Sequence, residues 1–198
     1  MRKVLTSFCI LILSLFFFAC SASSDYMIKT DRSDNLKLAP QKSRIVFIRP
    51  SSAAFGLAPI IIDENGKYVG ESIPKSYFFS DLNPGENTFI VWGEGTHSLK
   101  ANLKPGKTYY VEITPHMGAW AARFHLDSIK KDSPKWKEKD QWMKEIPFYL
   151  PNVTDGQSIV DKKGKDDIKS TIEKGKKRYV EYNAEEKKEK TLFPEDGE

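Results

Sequence analysis

The stretch SLKANLKPGKTYYVEIT, residues 98–114, decides the fold class. Leu99, Ala101 and Leu103 fall on one side of an extended chain, and Ser98, Lys100 and Asn102 on the other. After Lys104-Pro105-Gly106 the alternation resumes, with Tyr109, Val111 and Ile113 inward and Tyr110, Glu112 and Thr114 outward. A period of two marks a strand with one buried face. Pro presets a negative φ and Gly tolerates a positive one, so Pro105-Gly106 suits the centre of a type II turn.

The same cadence extends outward. Residues 77–82 and 86–92 flank Asn83-Pro84-Gly85, and residues 60–63 and 67–71 flank Glu64-Asn65-Gly66. Asn-Gly is a strong hairpin signal because both central residues take φ > 0. Residues 44–49 read as a strand stopped by Pro50, and a last strand is expected from Trp120 to Leu126. Seven or eight short strands with close turns predict a mostly β fold, an antiparallel β-sandwich over residues 44–129.

Upstream, Met1-Arg2-Lys3 precedes an uncharged apolar run from Val4 to Ala19, the layout of a secretory signal peptide over residues 1–19. As a helix the run reaches about 24 Å, short of the roughly 30 Å hydrocarbon core. It stops at Phe17-Phe18-Ala19-Cys20, which resembles the lipobox of bacterial lipoproteins, although Phe17 stands where Leu is usual. A thiolate is the nucleophile that lipid attachment needs. Cys20 is therefore the expected lipid attachment site, with ordinary cleavage near Ser23 and an uncleaved anchor as alternatives. Cys9 lies in the leader, so Cys20 has no partner for a disulfide after export. Ser21 resembles the outer-membrane sorting class. The expected location is the cell envelope, outer membrane rather than inner, and the expected partner is a membrane, through the lipid. Residues 20–43 read as a polar tether.

Without Arg2 and Lys3 the chain carries 29 basic and 27 acidic side chains, a balance that makes no case for nucleic acid. Residues 130–198 read as a charged extension with one or two helices. Ser133-Pro134 suits a helix start, and the helix runs to about Ile146. Pro147 and Pro151 bracket an extended stretch. Asp166 or Asp167 is expected to cap a second helix, whose stripe Ile168, Ile172, Tyr179 and Tyr182 is interrupted by Gly175. That stripe docks on its own domain or on an envelope protein partner. In the second case, removing residues 161–198 leaves the β domain folded.

Four blocks, SRIVFIRPSS at 43–52, IIIDENGKYVGE at 60–71, SYFFSDLNPGENTF at 76–89 and LKPGKTYYVEI at 103–113, resemble the domain-of-unknown-function family numbered 2846. These are small bacterial lipoproteins and secreted proteins. Surface β modules of the PEGA type share part of the cadence. The resemblance implies a compact β-sandwich and export, and it implies no activity.

Chemistry is sparse along the chain. His97, His116 and His125 lack the spacing of a zinc site and read as surface residues near strand ends. Ser72-Ile73-Pro74-Lys75 matches S-x-x-K only formally, since Pro74 opposes the helix that motif needs. No cofactor or metal is expected, and no catalytic residue can be named. Two loops carry apolar side chains that either cap the open end of the core or mark a contact surface: residues 51–58 with Phe55 and Leu57, and residues 116–120 with His116, Met117 and Trp120. The expected function is a lipid-anchored binding or scaffolding module without catalysis. A small envelope hydrolase with an unseen spatial site, and a docking subunit of an envelope complex, are the alternatives.

Overall fold

The two runs around Lys104-Pro105-Gly106 are both strands, but they lie in different sheets. The computed structural model describes residues 24–31, 36–54, 56–93, 95–117 and 122–198. Its strands are β1 (Met27–Thr30), β2 (Ser43–Arg49), β3 (Ile60–Asp63), β4 (Tyr68–Glu71), β5 (Ser76–Leu82) and β6 (Gly85–Trp92). They continue with β7 (His97–Leu103), β8 (Thr108–Met117), β9 (Ala122–Ser128), β10 (Phe148–Pro151) and β11 (Thr191–Leu192). The helices are α1 (Lys135–Glu145), α2 (Val153–Lys162), α3 (Lys165–Glu181) and α4 (Ala184–Glu189). One sheet has the order β1-β10-β5-β2-β8-β9, the other β11-β7-β6-β3-β4.

The fold is mostly β, as expected, but the pairing is not purely antiparallel. β2 runs parallel to β8, β10 parallel to β5, and β11 parallel to β7. Parallel neighbours need a long crossover. The chain supplies one by visiting the second sheet between β2 and β8 and through the helices before β11. Of the three turns read from sequence, the one at Asn65-Gly66 closes a hairpin, β3–β4, with Gly66 at φ +77°. The turn at Pro105-Gly106, with Gly106 at φ +72°, carries the chain from one sheet to the other.

The two sheets share one core. Ile45, Phe47, Phe78, Tyr109 and Val111 of the six-stranded sheet join Ile61, Phe89, Val91, Leu99 and Leu103 of the five-stranded one. Phe47 meets Phe89 edge-on at 5.7 Å between ring centres and stacks on Phe78 at 5.0 Å. Each fully buried side chain of this size stabilises the fold by about 1.5–3 kcal/mol.

Parts of the outward faces are covered too, which the alternation did not reveal. Tyr110, read as outward, is buried against Val46, Ile48, Ile129 and Ile146, with Trp136 of α1 edge-on at 5.6 Å. Ser98, also read as outward, is fully buried and donates to the Gly175 carbonyl of α3 at 2.7 Å. The expected cap also differs. Ser133 Oγ donates to the Lys130 carbonyl, and α1 has no side-chain cap. Asp166 and Asp167 lie in the first turn of α3, after Gly164 at the cap.

The expected tether and extension are part of the sheets. Met27–Thr30 pairs with Phe148–Pro151, and Asn152 N–H donates to the Tyr26 carbonyl at 2.8 Å. Met27 is buried against Tyr68, and Tyr26 packs on the core beside it. Among the described residues no helix is long and apolar enough to cross a membrane.

Candidate functional site

The start of β3 floors an apolar cleft. Ile60 stands opposite Glu71 of β4 on one side and Trp92 of β6 on the other. Leu57 and Pro59 lead into it, Ala122 and Phe124 of β9 form one wall, and Ile159 with Lys163 at the end of α2 closes it. Its volume is about 450 Å³. Two charged groups line it. Lys163 Nζ lies 4.9 Å above the Trp92 ring, and the Glu71 carboxylate accepts from the Ser24 hydroxyl. Burial raises the Glu71 carboxyl above its usual range, and the Ser24 bond opposes that shift. Such a lining offers apolar area plus two groups for orientation, the composition of a binding site. A larger groove of about 770 Å³ lies between the β3–β4 turn and helices α2 and α3. Its apolar floor, Ile168 and Ile172, already packs on the core.

Beside the cleft, Arg49 ends β2 fully buried. Its Nη1 donates to the carbonyls of Leu57 and Ser72, both at 2.7 Å, and its Nη2 to those of Ala53 at 2.8 Å and Ala54 at 3.1 Å. The guanidinium lies 4.9 Å from the Phe124 ring centre. Burial pulls its pKa down to about 10. Four carbonyl dipoles thus take up the charge, and those of Ala53, Ala54 and Leu57 turn toward it, with Ala54 at φ +53°. Arg49 Nε and Ser72 Oγ are buried without a hydrogen-bond partner among the described residues. Arg49 is in phase with Ile45 and Phe47 on β2, and that alternation is the sequence signal that it points inward.

The three histidines, expected as separate surface residues, form a row across β7, β9 and β8. The His97 and His125 ring centres are 3.9 Å apart, and those of His125 and His116 4.1 Å. His97 is buried, and its Nδ1 lies 2.9 Å from the Tyr182 hydroxyl. Burial, aided by neighbouring positive charge, pulls His97 down to about 3 and His125 to about 4. Both are neutral at ordinary pH. Beyond them Asp127 pairs with Lys190, which with the Thr114 hydroxyl holds its carboxyl below the usual range against the opposing effect of burial. Among the described residues no group of His, Cys, Asp and Glu is placed to hold a metal ion.

The residues singled out from sequence are divided between these features. Leu57 lines the cleft and is 47% exposed. Met117 is 70% exposed and pairs in register with Ala122 of the cleft wall. His116 belongs to the histidine row. Ile168 and Ile172 pack on the chain's own core. Tyr179 bonds the Thr191 hydroxyl at 2.7 Å, and Tyr182 bonds His97. Cys20, Phe55 and Trp120 lie outside the described residues. Glu71, Phe124 and Lys163 were not legible as site residues, because their meeting depends on how β4, β9 and α2 pack.

No family model, no curated protein and no solved structure matches this chain.

Proposed function

We propose that this chain is a lipid-anchored protein of the cell envelope that binds or scaffolds there without catalysis of its own. The observation that carries this reading is the junction between leader and domain. An apolar run ends at Cys20, and four residues later Ser24 is already bonded to Glu71 of the folded domain. A lipid on Cys20 would therefore hold a folded body at a membrane. The apolar cleft beside Glu71 supports a binding role, since its lining combines contact area with a carboxylate and an ammonium.

The architectural part of the proposal is a β-sandwich whose layers are the two mixed sheets, carrying a charged helical extension from residue 130. The shared core and the Phe47–Phe89 contact support it. The resemblance to family 2846 belongs to the same reading, as does the outer membrane as the expected address.

Metabolic labelling with a palmitate analogue tests the anchor. Wild type is expected to take up the label and Cys20→Ala to lose it. Label that survives the substitution overturns the reading.

A further inference from the structure

We infer that the cleft end of the domain rests directly on the bilayer, with Leu57 and Met117 in contact with lipid; this rests on the lipid anchor proposed above. The partner is a phospholipid surface, and chain length argues for it. From Cys20 to Ser24 is four residues, a reach of about 14 Å when fully extended. Ser24 is not a loose end, since its hydroxyl donates to Glu71. The backbone that follows is pinned through Asn152 N–H to the Tyr26 carbonyl and through β1 to β10. A lipid on Cys20 therefore cannot lie more than about 14 Å from Ser24, and Glu71, which holds Ser24, lines the cleft.

The surface at that end fits the partner. Leu57 and Met117 are both large and apolar, and both are exposed. Single exposed apolar residues are ordinary, but Leu57 lines the cleft that Glu71 shares and Met117 pairs with Ala122 of its wall. Lys163, which lines the cleft, is exposed and lies over Trp92. Long basic side chains over an apolar patch can bury their stems and reach anionic headgroups. Apolar side chains that enter the interface would add their own burial to the hold of the lipid. The turn at Lys104 lies at the other end of β7, about 20 Å from His97 along a seven-residue strand. It should stay in water.

The full lipidated protein provides the test. Leu57→Cys, Met117→Cys and Lys104→Cys are each labelled with an environment-sensitive fluorophore and reconstituted in vesicles of phosphatidylethanolamine and phosphatidylglycerol. Mass spectrometry of the N-terminal peptide of each preparation reports whether Cys20 carries its lipid. The expected result is a blue-shifted emission and a roughly threefold loss of iodide quenching at positions 57 and 117, as for groups held in the interface, with position 104 unchanged. Lipidated protein in which all three labels quench alike overturns the contact and leaves the anchor standing. Shielding at position 57 alone would place an acyl chain in the cleft and also overturns it. An N-terminal peptide without lipid overturns the anchor and the contact together.

Discussion

A histidine buried without a counter-charge acts as a proton-linked weak point. His97 is 6% exposed and is held near pKa 3, chiefly by burial, while an unfolded histidine titrates near 6.5. Between those values the unfolded chain binds a proton that the folded chain refuses. Stability is therefore fully present above about pH 6.5 and falls as the pH is lowered toward 4. At pH 5 the loss from His97 is about 1–2 kcal/mol. His97→Asn keeps a polar atom near the Tyr182 hydroxyl and removes the titration. Urea unfolding at pH 7 and pH 5 should show a smaller pH-dependent loss in the variant than in wild type, by about 1–2 kcal/mol. Equal losses in the two proteins would show that burial does not hold His97 below its ordinary value. Arg49 shows the other way to bury charge. Its site is built from carbonyl dipoles, so it keeps its proton throughout this range.

Glycine decides how closely the elements pack. Gly156 lies inside α2, where glycine is about 1 kcal/mol less favourable than alanine. Its place in the packing explains it: a Cβ there would stand 2.2 Å from the Tyr68 ring of β4. Gly175 in α3 meets Ile90 of β6 in the same way, at 2.9 Å. Gly156→Ala should therefore destabilise by about 1–3 kcal/mol despite the better helix propensity, because a ring fixed in the core cannot give way. A shift of the urea midpoint to lower concentration checks it, and a stabilised variant would show that α2 does not bear on β4. The same glycines show why only part of the fold was legible. Alternation in 98–114 predicted the strands and their inner faces, since period two is a local property. Gly175 read as a break in the stripe of Ile168, Ile172, Tyr179 and Tyr182, yet it is what brings that stripe onto the sheet. A close approach between elements leaves no periodic mark on either one. The histidine row and the Glu71 cleft were hidden for that reason, since each gathers side chains from separate elements.

At the scale of the molecule, the charged C-terminal third cannot be separated from the β domain. Residues 161–198 contain equal numbers of acids and bases and read as a segment that docks on its own domain or, if it serves a partner, one the domain could lose. In the fold, Leu192 is fully buried and β11 extends the five-stranded sheet beside β7. The Glu198 backbone exchanges two hydrogen bonds with Thr108, at 2.8 and 3.1 Å, next to the start of β8. Lys130 pairs with Asp196 at 2.6 Å, and Lys139, the buried residue of α1, lies 3.6 Å from Glu198. Deleting only residues 191–198 would expose the edge of β7, leave Lys130 without Asp196, and remove one buried leucine worth about 1.5–3 kcal/mol. Together these should cost about 3–5 kcal/mol, a large share of the 5–15 kcal/mol that holds a domain together. The truncated protein should unfold at markedly lower urea. The Thr108 amide should also exchange faster with deuterium, because the deletion removes its acceptor, the Glu198 carbonyl. A truncated protein within about 1 kcal/mol of wild type would restore the reading of a dispensable tail.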